Sequence, residues 1–299
     1  MKRARIIYNP TSGRELIRKQ LPYILERLEK AGYEASAHAT TGEGCAKKAA
    51  KVAIERKYDL VIAAGGDGTV FEVINGLADQ DYRPTFGIIP CGTTNDFATA
   101  LGIPRDIISV CNILCSNETR PIDIGKAGDK YFINVAAGGT LTEITYEVPS
   151  KLKTFFGRLA YYIKGIEKLP FMTTKKVRIE YDDNVFEGDI LFFLVCNTNS
   201  VGGFENLAVK SRIDDGLFDL IIVEKMNFPK LVGAGIQTLS GKQLKHAKIK
   251  YFRAKRIKID IEKDTPLNLD GEYGGMLPCE FINLTHHFNL LAPKPIEKR

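Results

Sequence analysis

A carboxylate set among glycines, in Gly65-Gly66-Asp67-Gly68-Thr69, is the first chemical oddity of this chain. Glycines let backbone N–H groups approach an anion closely, and a helix N-terminus behind such a loop adds unpaired donors and a favourable dipole. Both features suit a phosphate. Asp67 does not, because a carboxylate repels phosphate unless a cation lies between them. The loop therefore asks for Mg²⁺ bridging Asp67 and phosphoryl oxygens, directly or through water. Two other loops share its glycine, hydroxyl and carboxylate or amide chemistry: Asn9-Pro10-Thr11-Ser12-Gly13 and Gly92-Thr93-Thr94-Asn95-Asp96. Alone, the first is ordinary loop-forming sequence, and Gly65–Thr69 could be a structural tight turn. Three in series make coincidence a poor account. The sequence contains no GxxxxGK[ST], so this is not a P-loop site.

A fourth element lies far downstream, Leu269-Asp270-Gly271-Glu272-Tyr273-Gly274-Gly275. By itself it reads equally well as a hairpin turn. Its interest comes from what the phosphate loops lack, since phosphoryl transfer to a hydroxyl needs a group that orients the acceptor and takes its proton. His286 and His287 are adjacent in strand-like sequence and would face opposite ways. Asp270 is the best candidate base.

These loops need a scaffold, and the first 122 residues supply an alternation of short apolar strands and helical periods, the pattern of a parallel α/β sheet. Strands are expected at Arg5–Asn9, Glu34–Ala39, Asp59–Ala64 and Thr85–Ile89. Helices are expected at Glu15–Ala31, where Pro22 marks a kink or restart, and at Cys45–Lys57 and Val70–Leu77. The three loops then fall at carboxyl ends of strands, where open α/β sheets bind ligands. After Pro121 the texture changes. Lys130–Ala137, Lys176–Tyr181, Val185–Asn197, Leu217–Val223, Arg256–Ile261 and Glu280–Leu284 read as strands, with turn chemistry at Asp182-Asp183-Asn184 and Asp214-Asp215-Gly216. Helical character returns only at Lys151–Leu169 and Pro229–Ser240. A second, mainly antiparallel β domain is expected, built as a sandwich.

Composition sets outer limits. No apolar run approaches the ~18 residues of a membrane span, and the longest, Ile190 to Cys196, reads as a buried strand. The six cysteines show no CxxC pairing, which points to reduced, mostly buried thiols in a cytosolic protein. Net charge is +6, and Lys225 to Lys258 carries ten Lys or Arg and no Asp or Glu. That segment is either a surface for an anionic partner or a solvated face.

The series NPTSG (Asn9–Gly13), GGDGT (Gly65–Thr69), GTTNDFA (Gly92–Ala98) and DGE (Asp270–Glu272) resembles the motifs of the diacylglycerol kinase catalytic family, related to NAD kinase. The resemblance covers nearly the whole chain. Ile213–Phe218 and Asp270–Gly275 look closest to its soluble bacterial members. It implies an α/β ATP-binding domain over 1–122 with a C-terminal return over 286–299, a β-sandwich lipid-substrate domain over 123–285, and an active site in the cleft between them. By the same resemblance Asn9, Pro10, Thr11, Ser12, Gly13, Thr40, Gly65, Gly66, Asp67, Gly68, Thr69, Val70, Phe71 and Thr93 bind ATP. Asp270 is the general base, supported by Glu272. Asp67 and Asp96 belong to a water-linked Asp–Mg²⁺–Asp network. Asp215, with backbone carbonyls of Arg212 and Leu217, forms a second Mg²⁺ site that orders the β domain. Family members commonly carry Asn-Glu after GGDGT where this chain has Phe71-Glu72.

The implied reaction is in-line transfer of the ATP γ-phosphate to diacylglycerol, giving phosphatidic acid for phospholipid synthesis. The implied setting is cytoplasmic and peripheral, on an anionic inner membrane face, with the chain as a homodimer. Lys151–Leu169, basic and rich in aromatics, suits such docking, though its aromatics could equally be core. Rival readings are a kinase for another hydroxyl lipid and an NAD kinase. The latter shares GGDGT, but the GTxND loop and late DGE favour a lipid. A nucleotide-sensing membrane-binding regulator would need no base. A nucleic-acid partner is not expected, since no reading motif accompanies the basic segment.

Overall fold

The computed structural model describes residues 1–140, 173–201, 204–205, 211–226, 247–261 and 265–294. The helices expected at Lys151–Leu169 and Pro229–Ser240 lie outside the described residues, as does 227–246 of the basic segment. The chain divides into two compact units, Met1–Asp123 with His286–Arg299, and Ile124–Thr285.

The first unit is a parallel α/β layer. Its elements are β1 (Lys2–Tyr8), α1 (Leu16–Lys30), β2 (Tyr33–Ala39), α2 (Cys45–Glu55), β3 (Leu60–Gly65), α3 (Asp67–Leu77), β4 (Thr85–Pro90), α4 (Asp96–Ala100), α5 (Ile107–Leu114) and the start of β5 (Thr119–Ala127). β1 pairs in parallel with both β2 and β3, and β3 with β4, giving the order β2-β1-β3-β4. Every residue of β3 is buried, as an apolar run covered on both faces requires. α1 runs unbroken through Pro22, after a 3-10 turn over Ser12–Glu15. Two helices escaped the sequence reading. α4 has a single turn, too short for any periodicity, and α5 is apolar nearly throughout, with Asp106 as its cap accepting from Ser109 N–H at 2.8 Å. α3 also begins at Asp67, three residues earlier than its apolar pattern suggests.

The second unit is antiparallel. The rest of β5 is followed by β6 (Lys130–Phe132), β7 (Val135–Gly139), β8 (Lys175–Tyr181), β9 (Asn184–Cys196), β10 (Ser200–Val201), β11 (Phe204–Glu205), β12 (Phe218–Glu224), β13 (Ile249–Ala254), β14 (Arg256–Ile261), β15 (Pro266–Leu269), β16 (Glu272–Met276) and β17 (Cys279–Leu291). Its axis is β9. The first half of that strand pairs with β8 across the Asp182-Asp183 turn, and the second half lies between β7 and β12. Both faces of that second half are buried. Leu194 and Cys196 pack with Ile221 and Val223. Among the aromatics, Phe193 meets Phe281, which meets Phe132, which stacks on Phe218 at 5.5 Å.

Two expected strands came out differently. Lys130–Ala137 is not one strand but β6 and β7, broken at Ile133 and Asn134, whose N–H groups are used elsewhere. Glu280–Leu284 is part of the 13-residue β17, which pairs with β14 in the second unit and continues past His286 to set Leu290 beside Phe86 of β4 in the first. The basic run also looks different once folded. Lys248 and Lys250 pair with Glu224 at 3.2 and 3.6 Å, Arg253 with Asp215 and Asp219, and Arg256 with Glu280. Neighbouring strands thus answer much of a charge excess that looked unbalanced along the chain.

Gly125 of β5 lies opposite Phe132 of β6, and a Cβ there would fall 2.2 Å from the end of the Phe132 ring. That ring is fully buried between Phe218 and Phe281 and has nowhere to swing. Gly125→Ala should therefore lower unfolding stability by about 1–3 kcal/mol, read from a urea midpoint shift with unchanged slope.

Candidate active site

In the order β2-β1-β3-β4, the connection after β1 leaves to one side and that after β3 to the other, so a crevice opens at their carboxyl ends. Asn9–Gly13 and Gly65–Thr69 begin there, and Asn9 N–H donates to Ala64 O at 3.0 Å. Backbone contacts draw in the third loop. Cys91 N–H donates to Gly65 O at 2.9 Å, and a Cβ on Gly92 would sit 2.5 Å from the Cα of Gly66. Gly13 adopts φ 59°, and its Cβ would fall 2.7 Å from Cys91 O. The glycines therefore permit the convergence of the loops as well as exposing their N–H groups.

Side chains fix each loop. Asn9 Oδ1 accepts from Thr11 N–H at 3.0 Å and from the Thr11 hydroxyl at 2.9 Å. Asn95, buried and left-handed at φ 53°, clasps Gly92 through both its N–H (2.8 Å) and its carbonyl (2.7 Å). Arg105 holds the Thr94 carbonyl at 2.9 Å. The structural parts of Asn95 and Arg105 were not read from sequence. An asparagine among glycine and threonine was the available signal for the first; nothing local marks the second.

Asp67 opens α3 behind Gly66, a cap with no side-chain hydrogen bond. Burial pushes its carboxyl above the usual range, while backbone N–H groups of Phe97, Asn95 and Asp96 work the other way. The structure thus brings Asp67 to the start of α4, where Asp96 resides. A buried carboxylate that resists ionisation is relieved by a nearby cation, and these acids offer the hard oxygens Mg²⁺ prefers. The donor chemistry fits the ion.

Beside the loops lies a cavity of about 420 Å³, lined by Asn9, Pro10, Thr11, Ser12, Thr40, Gly66, Gly68 and Thr69 together with Thr41, Gly42, Glu43, Ala46 and Glu72. Of the other residues expected to hold ATP, Gly13, Gly65, Asp67, Phe71 and Thr93 lie off this lining, and Val70 is buried. Glu72 explains how the far wall is held. α2 starts at Gly44 without a cap of its own, and the Glu72 carboxylate reaches across from α3 to accept from Gly44, Ala46 and Lys47 N–H at 2.9, 2.9 and 3.4 Å. Of the Phe71-Glu72 pair, Glu72 has a definite task.

In the second unit, Asp270 and Gly271 are the two-residue turn between β15 and β16, with Leu269 opposite Glu272 and φ of 53° and 94°. Both φ values are positive, as a type I′ hairpin requires. The hairpin reading and a chemical role are compatible, because the turn aims the carboxylate. Asp270 Oδ2 accepts from Ile133 N–H at 2.7 Å, and Oδ1 from Asn134 and Val135 N–H at 2.8 and 2.9 Å. These donors come from the break between β6 and β7. Behind them, Asn197 holds the Ile133 carbonyl through Nδ2 (3.0 Å) and the Asn134 carbonyl through its backbone N–H (2.8 Å). Thr198 holds the Asn134 side chain at 3.1 Å, and Asn283 reaches Asn197 at 3.3 Å. Glu272 is exposed at the start of β16, and Lys130 secures the hairpin by donating to Tyr273 O at 2.7 Å.

Asp215 is already engaged. Oδ1 accepts from Leu217 N–H at 3.1 Å, and Oδ2 pairs with Arg253, which also meets buried Asp219. Arg212 is exposed, with its side chain on Asp214 at 3.2 Å. A cation at Asp215 would share that carboxylate with Arg253. Among the described residues, no cluster of three or more His, Cys, Asp or Glu side chains could hold a metal ion unaided.

Residues 3–127 match the diacylglycerol kinase catalytic domain, and residues 139–292 match the YegS C-terminal NAD kinase beta sandwich-like domain. The chain belongs to the diacylglycerol kinase family, and it is a kinase. It is 56% identical over 295 residues to a diacylglycerol kinase of Bacillus subtilis, covering 98% of this chain and 97% of that one. It is 51% identical over 298 residues to a diacylglycerol kinase of Staphylococcus carnosus, covering 99% and 97%. A crystal structure of a diacylglycerol kinase from Bacillus anthracis is similar with a TM-score of 0.78 at 28% identity, covering 98% of this chain and 97% of that one.

Two expectations follow. With its pKa raised by burial, Asp67 binds its proton more tightly folded than unfolded, so its contribution to stability falls as pH rises through the carboxylate range. Without Mg²⁺ at pH 7, Asp67→Asn should melt above the wild type, with the gap closing as pH is lowered and Asp67 protonates. Glu72→Ala should cost about 1–2 kcal/mol through the lost cap and weaken ATP binding by calorimetry, since the Thr40–Gly44 wall loosens.

Proposed function

We propose that this kinase transfers the γ-phosphoryl group of ATP to the free hydroxyl of diacylglycerol, giving phosphatidic acid and ADP. The observation that carries the reading is the Asp270 carboxylate held by three consecutive backbone donors. Three backbone donors fix the carboxylate in direction, which a group that orients an acceptor hydroxyl requires. Asp270 takes the hydroxyl proton as the hydroxyl oxygen bonds to the γ-phosphorus and the bond to the β-bridging oxygen breaks. The first unit supplies the nucleotide site, with phosphates at the glycine loops and the nucleoside toward the Thr40–Glu43 wall. Mg²⁺, when bound near Asp67 and Asp96, offsets the charge of the transferring group. Asp215 and the carbonyls of Arg212 and Leu217 would hold a second Mg²⁺, which would serve order in the β unit. Glu272 supports Asp270 from the next strand.

The acceptor is a membrane lipid, so the enzyme works at a membrane surface. Among the described residues no helix is long and apolar enough to cross a membrane, and the reading needs none.

The test is phosphorylation of diacylglycerol in anionic mixed micelles, with Mg²⁺ present and then chelated. Mg²⁺-dependent phosphatidic acid is expected. Asp270→Asn should lose about 10²-fold or more in kcat while melting like the wild type. Wild-type turnover in that variant would remove Asp270 from the mechanism, and efficient NADP formation from NAD would redirect the acceptor assignment.

A further inference from the structure

Asn268 sits in β15, two residues before Asp270, and is 6% exposed. Its Oδ1 accepts from Gly271 N–H at 2.9 Å, within the same turn. Because Gly271 is a donor there, the amide oxygen must face it and the NH₂ group must point away. That NH₂ group is buried and meets no acceptor. Buried polar groups in folded proteins are nearly always paired, and an exception at a functional turn calls for a missing partner.

We propose that the Asn268 side-chain amide donates to an uncharged oxygen of the lipid acceptor: the ester carbonyl on the carbon beside the hydroxyl that is phosphorylated. This rests on the assignment of Asp270 as the proton acceptor, since the same turn then receives hydroxyl and ester together. Two observations favour a neutral oxygen over a phosphoryl one. The donor is an amide without charge. The Asp270 carboxylate belongs to the same turn and would repel an anion. Asn268 thus acts in substrate positioning and specificity, selecting esters by a bond an ether cannot make in kind.

The experiment compares 1,2-diacylglycerol with its 1,2-dialkyl ether analogue in the same micelles at saturating ATP and Mg²⁺, for the wild type and Asn268→Asp. That substitution keeps an acceptor for Gly271 N–H and deletes the donor. The wild type should favour the ester in kcat/KM by about tenfold, the scale of one neutral hydrogen bond. In Asn268→Asp the ester rate should fall to the ether rate, with KM for ATP unchanged. A wild type that does not distinguish the lipids overturns the proposal without any variant. An equal loss on both lipids also overturns it, leaving Asn268 as a prop of the turn or a host to buried water. Retained turnover in Asp270→Asn would refute the base assignment alone, while the ester-to-ether ratio still decides the role of Asn268.

Discussion

Three consecutive peptide N–H groups converge on one carboxylate, and the second unit is arranged around that convergence. To present Ile133, Asn134 and Val135 together, the chain must leave the sheet ladder, which is why β6 stops at Phe132 and β7 starts at Val135. The carbonyls exposed by the break must then be satisfied inside the protein. Asn197, at the end of the long central strand, satisfies two of them, and Asn283 braces Asn197 from β17. The carboxylate is supplied by a turn whose left-handed backbone suits Asp-Gly.

The first unit solves a different problem, keeping a carboxyl group at the head of α3 among close-packed glycine loops. Its glycines lower the steric cost of bringing three loops together, and its carboxylates are partly withdrawn from water. Burial alone makes that arrangement unfavourable for the charged form of Asp67. Glu72 shows the contrasting use of a carboxylate. Its charge is spent inside the protein, on the end of α2, and so shapes the cavity without being available to a phosphate.

Much of this was legible in the sequence. The alternating pattern to Pro90 located four parallel strands to within three residues at each end, most sharply at β3 and β4, which are continuous buried runs. The glycine loops named themselves by composition. What stayed hidden was set by contacts distant in sequence. Ile133 and Asn134 look like strand interior until Asp270, over a hundred residues away, competes for their N–H groups. Glu72 reads as a surface residue of α3 unless α2 is known to begin uncapped beside it. The basic run looked unbalanced because strand pairing, which sets Glu224, Asp219 and Glu280 against it, leaves no trace along the chain.

β17 has a bearing on how the protein is made. The first unit is complete only when Leu290 lies beside Phe86 and Phe288 packs near it, yet those residues follow the whole second unit in the chain. On a ribosome β4 would emerge early and wait through about two hundred residues of synthesis with that edge unpaired. An open edge is a place where another strand can add. The interval between translating Phe86 and Leu290, rather than the finished fold, is when this protein is most exposed to misassembly.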